Sequence, residues 1–196
     1  MKKIQKIAKS LATRRTIYTL SFLALIGFLS SFVGVGTTDA TMGKIQFIGD
    51  AGQATTFTIE QWKFTKMDVK KDKIEDLHVE LEMDMSSMTA SWKELLESVK
   101  KKKDYFYIKN FPKATVIIDK ATKVKDNEYT CTAKLTLKNV TKPVELAFTV
   151  SPDSANTSNL KIKGSGIVVR QNFDFTGGGP KNEVPMMFDL VVSENK

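Results

Sequence analysis

From Thr41 onward, apolar and polar residues change places at almost every step, and this period of two constrains the fold more than any other feature of the chain. In DLHVELEMDM (76–85), Leu77, Val79, Leu81, Met83 and Met85 share one face, while His78, Glu80, Glu82 and Asp84 share the other. Successive side chains of a strand point to opposite sides, so this is the pattern of a strand with one face buried. It recurs in Tyr129, Cys131, Ala133, Leu135 and Leu137, in Val144, Leu146, Phe148 and Val150, and in Leu160, Ile162, Gly164, Gly166 and Val168. Val184, Met186, Phe188, Leu190 and Val192 repeat it near the end. The turn-forming stretches KDN, SPDSANTSN and TGGGPKN separate these runs, which predicts an antiparallel β protein. A sandwich and a closed barrel both satisfy the pattern.

One segment departs from it. In SWKELLESVKKKK, Trp92, Leu95, Leu96 and Val99 lie at i, i+3, i+4 and i+7, the stripe of an amphipathic helix. Ser91 and Glu94 have the spacing of a capping box, and the lysines from Lys100 onward suit the negative end of the helix dipole. The lysine run reads most simply as a solvated last turn, with contact to anionic lipid headgroups as the alternative.

Charge is unevenly placed. Of 30 basic and 22 acidic residues, six basic ones (Lys2, Lys3, Lys6, Lys9, Arg14, Arg15) and one acid (Asp39) fall in residues 1–40. The remaining 24 and 21 leave a net +3, too little to argue for a nucleic-acid partner. Residues 1–40 have the layout of a targeting segment, in which a basic stretch precedes the uncharged run Ile17 to Gly36 and the small-residue stretch TTDA. At 20 residues the run is long enough for either a signal peptide cleaved after Ala40 or a retained membrane anchor. In both cases residues 41–196 are expected outside the cytoplasm, in a bacterium the periplasm. The single cysteine, Cys131, rules out an internal disulfide, and no cysteine stands directly after the apolar run to carry a lipid anchor.

Three stretches in order resemble the YceI family of exported bacterial proteins. KDYFYIKNFPKATVIID matches an acidic and aromatic cluster followed by an aromatic-proline pair, through Asp104, Tyr105, Phe106, Phe111 and Pro112. YTCTAKLTLKNVTKPVEL is similar to a family strand and turn through Leu135, Thr136, Val140, Thr141, Lys142, Pro143 and Val144, and GIVVRQNFDF to a late strand through Arg170, Asn172 and Phe173. The chain departs from the family at its opening strand, where QATTFTIEQWKFTKMD lacks the usual histidines. Ala133 and Asn139 also replace glycines of the second motif.

The resemblance implies a mainly β fold: an eight-stranded antiparallel lipocalin-like barrel with one short amphipathic helix, preceded by the N-terminal targeting or anchor helix. It divides the chain into 1–40 and a lipid-binding barrel domain of 41–196. It further implies non-enzymatic binding or transport of a long-chain amphiphile, a polyisoprenoid, quinone-like or fatty chain, with no other cofactor. The wall or mouth of such a pore would be formed by Phe106, Phe111, Met83, Met85, Leu135, Phe148, Val168, Arg170, Phe173, Met186 and Phe188. The methionines would give an adaptable wall, though core filling accounts for them equally. Arg170 continues the inward face of its strand, so its guanidinium needs either an acid such as Asp174 or Asp189, or the head of a bound lipid.

Catalytic and metal signals are sparse. One histidine and one cysteine give no zinc set, Cys131 faces inward while His78 faces outward, and Ser86 and Ser87 lack a third partner. GGGP at Gly177 has no GK[ST] and is not a phosphate loop. The competing reading is a membrane-anchored interaction module whose barrel is filled by its own side chains.

Overall fold

The computed structural model describes residues 42–178 and 181–193. Its strands are β1 (Met42–Asp50), β2 (Ala54–Ile59), β3 (Trp62–Asp68), β4 (His78–Asp84), β5 (Met88–Ala90), β6 (Lys113–Ile118), β7 (Thr122–Lys125), β8 (Glu128–Leu137), β9 (Val140–Pro152), β10 (Asn159–Val169) and β11 (Glu183–Ser193). One α-helix, α1 (Lys93–Lys101), lies between β5 and β6. Each pairing is antiparallel, and the strands follow one path, β3-β4-β6-β8-β9-β10-β11-β1-β2-β5, with β7 pairing to β8 beside it. The predicted mainly β, antiparallel fold with one helix is borne out as a curled sheet.

The described residues form eleven strands rather than the expected eight, because two long strands are each broken in two and the short β7 lies beside β8, off the path. β2 and β3 are separated only by Glu60 and Gln61, and their partners β4 and β5 only by the 3-10 turn Met85–Ser87. Trp62 faces Met83 on one side of the break and Ile59 faces Met88 on the other, so register is nearly kept across it. Asp84 holds the bend. Its carboxylate accepts from the Ser86 N–H at 2.8 Å and the Ser86 hydroxyl at 2.6 Å, and its carbonyl accepts from the Ser87 hydroxyl at 2.6 Å. Gln61 N–H then donates to Ser87 Oγ at 2.9 Å, tying the two breaks together.

The alternating residues become the core, as their period requires. Tyr129, Cys131, Ala133, Leu135 and Leu137 of β8 are all buried, as are Val144, Leu146, Phe148 and Val150 of β9. β8 and β9 join through Lys138 and Asn139, both at positive φ (49° and 62°), the tight turn whose twist matches its strands. Asparagine tolerates that conformation, which explains how it can replace the family glycine.

The helix starts one residue later than its capping-box spacing predicts. Trp92 is the N-cap and supplies no side-chain bond, so Ser91 does not cap α1. Val99 is buried and Leu95 and Leu96 are half-buried. Lys101, Lys102 and Lys103 are exposed, as a solvated last turn requires, while Lys100 donates to the Ser86 carbonyl at 2.9 Å. No helix among the described residues is long and apolar enough to cross a membrane. The run 17–36, read as a signal or anchor helix, lies outside the described residues.

Candidate functional site

At the end of the sheet beside α1, the inward faces do not meet, and a cavity of about 130 Å³ remains. Seven of the predicted pore residues line it: Met83, Met85, Phe106, Leu135, Val168, Arg170 and Met186. They reach it from four strands, the bend after β4, the segment after α1, and the 3-10 turn Arg170–Phe173. The other four lie elsewhere. Phe173 is 1% exposed and packed in the core. Phe111 packs edge-on against Tyr107, with ring centroids 6.4 Å apart. Phe148 and Phe188 lie deeper along β9 and β11, bordering a separate open concavity shared with outward residues such as Lys163 and Ser165.

The remaining wall comes from the opening strands and an aromatic cluster. Phe47 of β1 stacks on its cross-strand partner Phe57 at 4.8 Å, Phe106 tilts against Phe47 at 5.5 Å, and Phe175 meets Phe106 edge-on at 4.8 Å. Such pairs add about 0.5–1.5 kcal/mol each beyond area burial. Phe47 and Phe57 were legible in the alternation of KIQFIGD and TTFTIE, but those strands lack the family's histidine motif, so nothing marked them as pore residues.

A clamp holds the segment after Phe175 over the aromatic cluster. Thr176 donates its hydroxyl to the Asp104 carboxylate at 3.0 Å, and Gly177 N–H donates to the Asp104 carbonyl at 3.0 Å. Tyr105 donates its hydroxyl to the Gly178 carbonyl at 2.6 Å. Gly177 sits against the Tyr105 ring so closely that a Cβ there would lie 2.6 Å from Cζ. The Asp104, Tyr105 and Phe106 motif thus has local work: the first two residues fix this segment and the third lines the cavity. Lys138 supports it from below, donating to the carbonyls of Lys103 (3.0 Å) and Asp174 (2.7 Å), with its ammonium 5.1 Å from the Phe175 ring centre.

Charge enters the cavity at one place. Arg170 is half-buried and lines the wall, joined by Lys181 and Asp50, which pair at 3.3 Å. Arg170 is fixed through its backbone, its N–H donating to the Asn182 carbonyl at 3.0 Å. Asp189, one of the acids considered for Arg170, pairs with Lys161 at 3.6 Å. Among the described lining residues, two cations and one carboxylate stand beside a mainly apolar wall, whose other polar side chains are Gln46 and Tyr105, and give the cavity a cationic rim.

The candidate catalytic groups are engaged elsewhere. His78 opens β4 and sits between two carboxylates, Nε2 3.0 Å from Glu80 and Nδ1 3.1 Å from Asp119. Lys134, hydrogen-bonded to Asp119 at 3.0 Å, holds that carboxyl below the usual carboxylate range, with His78 adding to the effect. Ser86 and Ser87 follow the other end of β4, where they serve the Asp84 bend. Burial, followed by the Glu145 charge, pushes the Cys131 thiol up to about 11, so it is protonated at neutral pH.

A curled antiparallel sheet around an apolar, cation-rimmed cavity defines a β-walled pocket protein. Residues 35–192 match the family model of the YceI-like domain, and the chain belongs to that family. No curated protein matches it by sequence. Among solved structures it is similar to BcnA of Burkholderia cenocepacia, with a TM-score of 0.69 and 21% identity over 79% of this chain and 99% of that one. It is also similar to a polyisoprenoid binding domain from Saccharophagus degradans implicated in plant cell wall breakdown (TM-score 0.60, 13% identity, 80% of this chain and 97% of that one). A YCEI protein of Campylobacter jejuni gives a TM-score of 0.59 and 15% identity over 71% and 85% of the two chains. At these identities the likenesses speak for the fold.

Proposed function

We propose that the chain is a non-enzymatic carrier or sequestering protein for an amphiphilic lipid, its tail in the cavity and its head at the Arg170 rim. The observation that carries this reading is the cavity itself, walled by Met83, Met85, Phe106 and Met186 and charged only at its edge. Membership in the YceI-like family supports it, as does the likeness to a domain described as polyisoprenoid binding. The reading takes the sheet as a closed eight-stave barrel. On the ten-strand path, which leaves β7 aside, counting β2 with β3 and β4 with β5 gives eight staves, and the bent hairpin joins the two ends of that path.

Burial supplies the affinity. Each buried methylene contributes about 0.8 kcal/mol, while association costs at least about 4 kcal/mol, so a tail of fewer than about five methylenes is not held by burial alone. Head contacts at Arg170 then favour an anionic or strongly polar head. The basic and then apolar stretch of residues 1–40 supports delivery across a membrane, by cleavage or with the chain anchored, so the carrier would work outside the cytoplasm.

Mass spectrometry of an organic extract of the purified full chain tests the reading. A stoichiometric amphiphile is expected, and Arg170→Leu in a folded protein should lower its occupancy. An empty, folded chain that also takes up no added lipid would refute lipid carriage. It would favour the interaction module, for which the exposed Ile167 (49%) on the outer face is the starting point.

A further inference from the structure

The cavity occupies one end of the sheet, and its depth can be read strand by strand. On β8, Leu135 and Leu137 line it but Ala133 does not; on β11, Val184 and Met186 line it but Phe188, the next inward residue, does not. Below that level the interior is filled. Tyr129 stacks on Phe148 with centroids 5.6 Å apart. A Cβ at Gly164 would lie 2.5 Å from Phe188 Cζ and 2.6 Å from Phe148 Cβ, so the two phenylalanines close on β10 where it has no side chain. Val69, Ile74 and Leu77, in the connection from β3 to β4, are buried as well, at 0%, 2% and 3% exposure.

We infer that Phe148 and Phe188 form the floor of a length-limited pocket, and that the ligand is a single-tailed anion with a tail of roughly six to eight carbons. This rests on the lipid-binding reading and narrows it. Two estimates agree on the length. On β1 the cavity runs from Ile45 past Phe47 to Gly49. Four residues of strand cover about 13 Å, or about 10 Å along the axis of a sheet tilted by about 40°. That is the reach of about eight carbons in an extended chain. Independently, a volume of about 130 Å³ is slightly below that of an engineered apolar cavity of about 150 Å³ that accepts a six-carbon ring. The anionic head follows from the charged residues among the described lining, two cations, Arg170 and Lys181, to one carboxylate, Asp50. A medium-chain fatty carboxylate has this form, whereas a long isoprenoid would need the floor to move.

The test is displacement of an environment-sensitive apolar fluorophore from the full chain by straight-chain carboxylates from hexanoate to palmitate, with matched alcohols and a long-chain isoprenyl phosphate. Affinity is expected to rise about fourfold per methylene to about octanoate and then level off, because further methylenes stay in water. Carboxylates should bind at least tenfold tighter than the matched alcohols. Phe188→Ala should move the plateau two or more carbons longer, and the milder Phe188→Leu should move it less; each keeps the test available if the other folds poorly. Affinity that climbs through palmitate in the unaltered chain, or strongest binding of the isoprenyl phosphate, overturns the length limit and leaves lipid binding standing. An unmoved plateau in both variants overturns the assignment of the floor, and equal binding of alcohols overturns the anionic head. If no amphiphile displaces the probe, the lipid-binding reading itself fails.

Discussion

The two ends of the sheet are built from the same alternation and do different things with it. At the far end Tyr129 stacks on Phe148, and Leu160 and Val192, partners across β10 and β11, are each 1% exposed. At the end beside α1, Leu137, Val168 and Met186 face inward just as regularly but border a cavity. A strand's period says which face is turned inward; whether that face meets another side chain depends on what the other staves and covering segments bring. The cavity end is covered by a helix, a 3-10 turn and a clamped loop, which hold the aromatic cluster across the opening without filling it.

The sharpest way to break this comparison is to remove equivalent apolar bulk from each end and follow urea unfolding. Leu160→Ala should cost about 2–5 kcal/mol, because a fully packed site leaves a new void when truncated. Met186→Ala should cost less than half as much, since Met186 is only partly buried and already borders empty space. Equal losses would mean that the cavity end is as tightly packed as the far end.

A smaller effect probes the clamp. Gly177→Ala should destabilise by about 1–3 kcal/mol through its clash with the Tyr105 ring. With Tyr105→Ala already in place, the added cost should fall to a few tenths of a kcal/mol in a double-mutant cycle, because the atom it strikes is gone. Additive losses would place the role of Gly177 in the backbone rather than in its contact with Tyr105.

Much of the fold could be read in advance because burial enforces the period. β8, β9 and β10 place their inward residues as the alternation requires, since a slip of one residue would turn every apolar side chain to solvent. The breaks were not legible. Met85 continues the alternation of β4 in sequence, yet it opens a 3-10 turn, because Asp84 satisfies the local backbone and turns the chain there. The site was half legible for the same reason. Leu135 and Phe148 look alike as inward residues, and what separates cavity from floor is Gly164, against which Phe148 and Phe188 close from neighbouring strands. Cross-strand register decides that meeting, and a single strand's pattern does not contain it. Arg170 could be singled out as an inward cation, but its company with Lys181 depends on the return of β11 beside β10.

The smallest predicted effects separate two residues that sequence spacing would treat alike as caps. Asp84 accepts two hydrogen bonds from Ser86 and caps the turn that bends β4 into β5, whereas Ser91 has capping-box spacing but the helix begins after Trp92. Asp84→Ala should therefore cost about 0.5–2 kcal/mol near neutral pH, while Ser91→Ala should stay within about 0.5 kcal/mol of the unaltered chain. Only the first cost should depend on pH. The Ser86 hydroxyl bond, with further help from the Ser86 N–H, Lys113 and Lys100, lowers the Asp84 carboxyl below its ordinary 3.8 despite some desolvation. A lowered folded-state value means the unfolded chain takes up the proton first, so the carboxylate's contribution is complete above about pH 5 and is lost as pH falls through 3.8 toward the lower folded-state value. The gap between Asp84→Ala and the unaltered chain should narrow over that window, while the Ser91→Ala curve runs parallel throughout. A gap of constant size down to pH 2 would mean that Asp84 holds the bend through its shape rather than its charge.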